Sequence, residues 1–169
     1  MAKALLVSYA GHPYTPSSLM PDNGLASLAG SLIAAGHEVK IIDYSLPDLS
    51  QRLIPDRACR SLKRVVDVFS APNASPFARA FNFIRLKRNH ALLQRHKGRE
   101  VARIAGELSG LVAREQPDFI GFKLWNGEGF EGAKTIAARI KKDHPRIRLF
   151  GGGPHAYSFG EVLFNHLAG

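Results

Sequence analysis

Gly151-Gly152-Gly153-Pro154 is the stretch with the clearest capacity to meet a ligand. Three consecutive glycines strip every Cβ from a length of backbone, so a large, flat ligand can approach the main chain closely. A strand-to-helix turn that needs positive φ is the plainer use of such a run. His155 follows it directly, and His12 lies in an earlier loop. Two imidazoles on one edge could begin a metal site, but the sequence offers no third donor beside them. For either histidine alone, a structural role is the commoner one. Lys123 and Trp125 stand at the end of a third strand and are not an acid–base couple. The single cysteine, Cys59, excludes an internal disulfide and any Cys-rich metal or iron–sulfur site built by this chain alone. No catalytic constellation emerges from these residues.

The elements that would position them alternate regularly. Residues 4–9 form a short apolar run, consistent with a buried strand. A loop with Gly11 and three prolines follows, and Asn23 can cap a helix with Leu25, Leu28, Ala29, Leu32 and Ile33 on its apolar face. Gly36 ends that helix, and residues 38–43 read as a second strand, parallel to the first. Residues 45–98 break the pattern. They are punctuated by prolines, with helical pieces over 62–69 and 77–94, and read as a helical insert within one domain spanning 1–169. The alternation resumes with a helix over 99–115, a strand over 118–125, a helix over 130–143 and a strand over 146–150. Ser158 and Glu161 have capping-box spacing and predict the start of a last helix with Phe159, Val162, Leu163 and Leu167 on its inner face.

That order predicts an α/β, flavodoxin-like (Rossmann-type), doubly wound parallel sheet with strand order 2-1-3-4. Such sheets usually carry a fifth strand, which is missing here. The expectation is a domain truncated at its C-terminus, or a fourth strand left as an edge that a partner covers or that self-associates. Ligands bind such sheets at the carboxyl edge, where the loops after strands one, three and four meet. The first loop lacks the Gly-x-Gly-x-x-Gly of a dinucleotide site, and no phosphate-binding Gly-Lys-Ser/Thr loop is present. The acidic residues of a phosphorelay receiver are also absent from the strand ends.

The formal charge is +9, from 23 Lys and Arg against 14 Asp and Glu. Basic residues crowd the insert, among them Arg79, Arg85, Lys87 and Arg88, interleaved with Phe77, Phe81, Phe83 and Ile84. Two uses fit: a surface for an acidic partner or RNA, or a solvated helix face whose phenylalanines pack inward, the commoner case. No nucleic-acid motif accompanies the charge, so nucleic acid is disfavoured. No apolar run reaches membrane-spanning length and the N-terminus lacks a signal-peptide pattern, so the expectation is a cytoplasmic protein without membrane association.

Several segments, in order, resemble the N-terminal cobalamin-binding domain of B12-dependent radical SAM enzymes. They are Leu5-Leu6-Val7, Gly24-Leu25-Ala26-Ser27-Leu28-Ala29, Ala35-Gly36-His37-Glu38-Val39, Ile42-Asp43, Pro117-Asp118-Phe119-Ile120-Gly121, and Gly151-Gly152-Gly153-Pro154-His155-Ala156. The likeness covers about residues 4–43 and 99–165 and skips the insert. It implies a sheet that holds cobalamin over its carboxyl edge, with the nucleotide tail tucked beside the sheet. The contacts it implies are Ala10, Gly11 and His12; Lys123, Leu124 and Trp125; and Gly151, Gly152, Gly153, Pro154 and His155. No metal ligand is expected from the protein, because the Asp-x-His-x-x-Gly motif that supplies an axial histidine in methionine-synthase-like domains is absent. In the resembling enzymes a separate barrel carries a 4Fe–4S cluster and cleaves S-adenosylmethionine. Its Cys-x-x-x-Cys-x-x-Cys motif is missing here, so the resemblance implies a binding domain that works with a C-terminal radical SAM domain or a separate partner subunit. Lys123-Leu124-Trp125 replaces the small hydroxyl residue common at the end of the third strand, and Lys123 would either meet the tail phosphate or obstruct the tail. The alternative reading is a non-catalytic α/β interaction module that docks through its basic insert.

Overall fold

The computed structural model describes residues 1–11, 22–46, 51–73 and 75–162, without the side chains of 154 and 155. Four strands, β1 (Lys3–Ser8), β2 (Glu38–Asp43), β3 (Phe119–Lys123) and β4 (Arg148–Gly152), form one parallel sheet of order β2-β1-β3-β4. The helices are α1 (Asn23–Ala34), α2 (Asp56–Ser70), α3 (Pro76–Glu115), α4 (Glu128–Asp143) and α5 (Pro154–Phe159). This is the α/β, flavodoxin-like arrangement that the alternating pattern predicts.

Contacts divide the chain into two compact units, Met1–Ser50 with Val101–Gly169, and Gln51–Glu100. In the sheet unit, β1 is central and Ala4 to Ser8 are all buried, as expected of a strand paired on both sides. Leu25 and Ala29 of α1 pack on Leu6, with Leu32 and Val39 beside them. Phe130, Ala133, Ile136 and Ile140 of α4 are buried at helical spacing. Glu115, at the end of α3, receives Lys3 and Lys40 at 2.7 Å each, tying the helix end to two neighbouring strands. In the helical unit, Leu53 and Val65 are buried. Asn89 donates to Ser61 at 2.7 Å, and Arg52 pairs with Glu100 at 3.2 Å.

Several boundaries differ from expectation: the helical piece over 62–69 belongs to α2, which starts at Asp56, and the strand over 118–125 ends at Lys123. The separate helices over 77–94 and 99–115 are one 40-residue helix, α3. Gly98 does not break it, because its φ is not positive and its cost of about 1 kcal/mol relative to Ala is within what a long helix absorbs. Strand β4 starts and ends two residues later than 146–150, so Gly151 and Gly152 are strand residues paired with Phe122 and Lys123. The helix α5 starts at Pro154, ahead of Ser158, because proline suits the first helical turn and Gly153 takes the cap position at φ 105°. It closes at Gly160, and the expected helix beyond Val162 lies outside the described residues. Asp22 rather than Asn23 caps α1, accepting from the Leu25 amide at 3.1 Å. Leu163 and Leu167 lie outside the described residues.

The phenylalanines of the insert do not pack inward: Phe77, Phe81, Phe83 and Ile84 are all exposed. On α1, Ile33 is likewise exposed, while Leu25 and Ala29 carry the packing.

Candidate functional site

The parallel register fixes which side chains share a face. Leu6, Gly121 and Phe150 lie on one rung, and Ser8, Lys123 and Gly152 on a later one nearer the carboxyl edge. Leu6 packs against Leu25, so these rungs face α1. Gly121 leaves the middle of its rung without a side chain, and a Cβ there would lie 3.0 Å from Leu6 Cδ2. The result is a pocket of about 340 Å³ between α1 and the sheet, lined by Leu6, Leu25, Leu28, Gly121, Phe150 and the run Gly151–Gly153, with Lys123 and Gly24 at its end. Its walls are mostly aliphatic, aromatic and glycine, which suits the flat apolar part of a small ligand.

The three glycines are there for three different reasons. A Cβ on Gly151 would stand 2.8 Å from Leu124 Cδ1, so this glycine makes room for a neighbouring side chain. Gly153 holds φ at 105°, a conformation that side chains rarely adopt, and turns the chain into α5. Gly152 has nothing within 4 Å of its Cβ position and no positive φ. It lines the pocket, and the fold itself places no demand for glycine there.

A chain of polar contacts borders the pocket at the carboxyl edge. Lys123 Nζ pairs with Asp22 Oδ2 at 2.6 Å and sits 4.4 Å from the centre of the Trp125 ring. The indole Nε1 donates to Ser8 Oγ at 3.4 Å, and Ser8 Oγ lies 3.2 Å from Ser45 Oγ. Asp22 therefore does two jobs, capping α1 and steadying the lysine. Lys123 and Asp22 are both largely buried, so each has a strong reason to keep the other.

Ala10 and Gly11 lie elsewhere. Gly11, at φ +70°, presses on the first turn of α4, where a Cβ would come within 2.8 Å of the Gly129 amide nitrogen. Gly129 in turn leaves room for the Ala10 carbonyl, 2.6 Å from its Cβ position. Tyr9, buried beside them, lays its ring on Gly132, where any Cβ would collide with it. Burial, with the Glu128 carboxylate adding to it, pushes the Tyr9 phenol up to about 12, so it stays neutral and serves as an anchor.

Of the residues expected at a cofactor, Lys123, Gly151, Gly152 and Gly153 line one pocket. Trp125 joins them through Lys123, and Leu124 fills the space beside Gly151. Ala10 and Gly11 contact α4 instead, His12 lies outside the described residues, and of Pro154 and His155 only the backbone is described. Phe150, Asp22, Ser8 and Ser45 belong to the site although no motif points to them, and Gly121, Leu25 and Leu28 join it from segments that carry the resemblance but were not expected as contacts. Gly121 did carry a signal, since a glycine inside an apolar strand marks a close approach or an opening. Among the described residues no group of three or more His, Cys, Asp or Glu could hold a metal ion. A serine does lie beside a base, Ser109 Oγ at 3.1 Å from His144 Nε2 and donating to Asp143 Oδ2 at 2.7 Å, but none of these residues lines the pocket. The polar groups at the pocket, Asp22, Lys123, Ser8 and Ser45, contact one another or Trp125 and are placed to bind and position a ligand.

Comparison with protein-family models, with curated proteins and with solved structures finds no match to this chain.

Proposed function

We propose that the chain is a cobalamin-binding domain of the kind that precedes the barrel of B12-dependent radical SAM enzymes. One observation carries the reading. At the carboxyl edge of a parallel sheet, an apolar pocket opens against α1, and a glycine that the fold does not require, Gly152, lines it. The size and lining suit the nucleotide tail of cobalamin. The corrin, too large for about 340 Å³, would lie across the open edge. Leu6, Leu25, Leu28 and Phe150 would hold the tail base, with Lys123 near the tail phosphate. Lys123 is not free to swing into the pocket as an obstruction, because Asp22 and Trp125 hold it. When bound, cobalamin supplies a cobalt centre for methyl or electron transfer. The chain's own residues bind and orient it, and the chemistry on a substrate would belong to a radical SAM domain or a partner subunit.

The test is reconstitution with hydroxocobalamin followed by desalting. The expected result is a red to orange protein with a stoichiometric corrin spectrum. A non-catalytic interaction module, the alternative reading, would leave the column colourless, and that outcome would overturn the proposal.

A further inference from the structure

All of the net charge resides in one unit. Residues 51–100 hold 12 Lys and Arg against 3 Asp and Glu, while the rest of the chain has 11 of each kind. From Phe77 to Arg99 there are seven Lys and Arg and no acidic residue.

The helical unit is an antiparallel hairpin. Ser61 of α2 meets Asn89 of α3, and Arg52 meets both His96 and Glu100. The end of α2 and the start of α3 therefore lie at the same end of the hairpin. That end is covered with large apolar groups in solvent. Phe77 is 84% exposed, Phe81 61%, Ile84 67%, and Phe69 of α2 41%. Phe77, Phe81 and Ile84 are spaced i, i+4, i+7, which places them in one stripe along α3. Arg85 and Arg88 border the stripe, and Lys87 Nζ lies 4.9 Å from the centre of the Phe83 ring. Rings this exposed are uncommon on a soluble helix, and here cations surround them without carboxylates between.

We infer that this end of the hairpin is a peripheral docking surface for an anionic lipid bilayer. The aromatic and branched side chains enter the boundary between headgroups and acyl chains, and the guanidinium and ammonium groups meet the lipid phosphates. Asn82, the amide beside the stripe, is buried and donates to the Ala78 carbonyl, so the exposed stripe presents apolar groups bordered by cations. That favours a bilayer over a nucleic acid or a protein groove. The surface lies on the membrane and does not cross it: no helix among the described residues is long and apolar enough to span one. The expectation of no membrane association came from the absence of such a span and does not address docking of this kind.

The test is co-sedimentation of the full chain with vesicles of phosphatidylcholine alone and of phosphatidylcholine mixed with phosphatidylglycerol. The protein is expected to pellet with the mixed vesicles only, and less as salt rises. F77S/F81S should weaken partitioning about tenfold or more through lost apolar burial. R85Q/R88Q should weaken it about fivefold per charge removed. Circular dichroism of each variant should be unchanged. In a Phe77→Trp variant, emission should shift to the blue on mixed vesicles, beyond anything the native Trp125 shows. Three results would each overturn the inference: failure to pellet with either vesicle, binding insensitive to F77S/F81S, or a preference for single-stranded RNA over the vesicles.

Discussion

The two compact units of this chain solve opposite problems. The sheet unit has as many acidic as basic residues and buries a close-packed core around β1 and α4, although Ile33, Phe150 and Tyr157 are exposed at its surface. Its glycines are set where a Cβ would strike a neighbour, as at Gly129, Gly132 and Gly151. The helical unit carries the entire charge excess and leaves Phe77, Phe81 and Ile84 in solvent. Tight packing in the first unit makes any gap informative, and the pocket beside Gly152 is such a gap. Loose coverage in the second makes the uncovered surface informative instead. A small ligand belongs to the first kind of region, a broad partner surface to the second.

The sharpest break between the two regions should come from Gly132→Ala. The added methyl would overlap the Tyr9 ring, so strand or helix must shift, at a cost of about 1–3 kcal/mol. Urea denaturation should show a lower midpoint at unchanged slope. F77S/F81S in the other region should move the midpoint far less, within the roughly 0.5 kcal/mol usual for surface changes. Equal losses from both would mean that the aromatics of the helical unit are packed after all.

Acid titration tests the sheet unit's electrostatic tie. Hydrogen bonds from Lys3 first and Lys40 second hold the Glu115 carboxyl down at about 2. The folded value lies below the unfolded one, so this contribution is present above the ordinary range near 4.5 and is lost as pH falls from there towards 2. The Glu115→Gln variant should lack that component and show a flatter fall in stability across the same window. A fall as steep as that of the native protein would place the acid sensitivity in other carboxylates.

The smallest expected effect lies on α3. Gly98→Ala should stabilise the helix by roughly 0.5–1 kcal/mol, since Gly98 has no positive φ and no atom near its Cβ position. A destabilised variant would show that the helix needs glycine there for a reason its surroundings do not reveal.

Much of the fold could be read from the sequence because its signals are local and periodic. Buried strands such as residues 4–8, and the i, i+3, i+4 faces of α1 and α4, depend on side chains close in the chain. Boundaries were less legible. Gly151 and Gly152 look like a loop by type, yet β3 pairs with them and extends the strand, and only a partner strand can reveal that. Gly98 looks like a stop but lies mid-helix. The site was legible only at its glycine run and Lys123. Asp22 and Lys123 are about a hundred residues apart, and Leu28 reaches the pocket only because α1 crosses that face of the sheet. The exposed phenylalanines contradict the usual inward packing, because helix spacing alone does not say which side is covered.

The central claim is that the open Cβ position of Gly152 leaves room for cobalamin, whereas the missing Cβ of Gly151 makes room for Leu124. Cobalamin retention after desalting, measured for the native chain, Gly152→Leu and Gly151→Ala, tests it most directly. Gly152→Leu should unfold near the native midpoint, because its Cβ position is open and the rest of the side chain has the pocket to occupy, and yet lose the corrin spectrum. Gly151→Ala should be less stable, because its methyl meets Leu124, yet keep the cofactor at a temperature where it is folded. Full retention by Gly152→Leu would contradict the account.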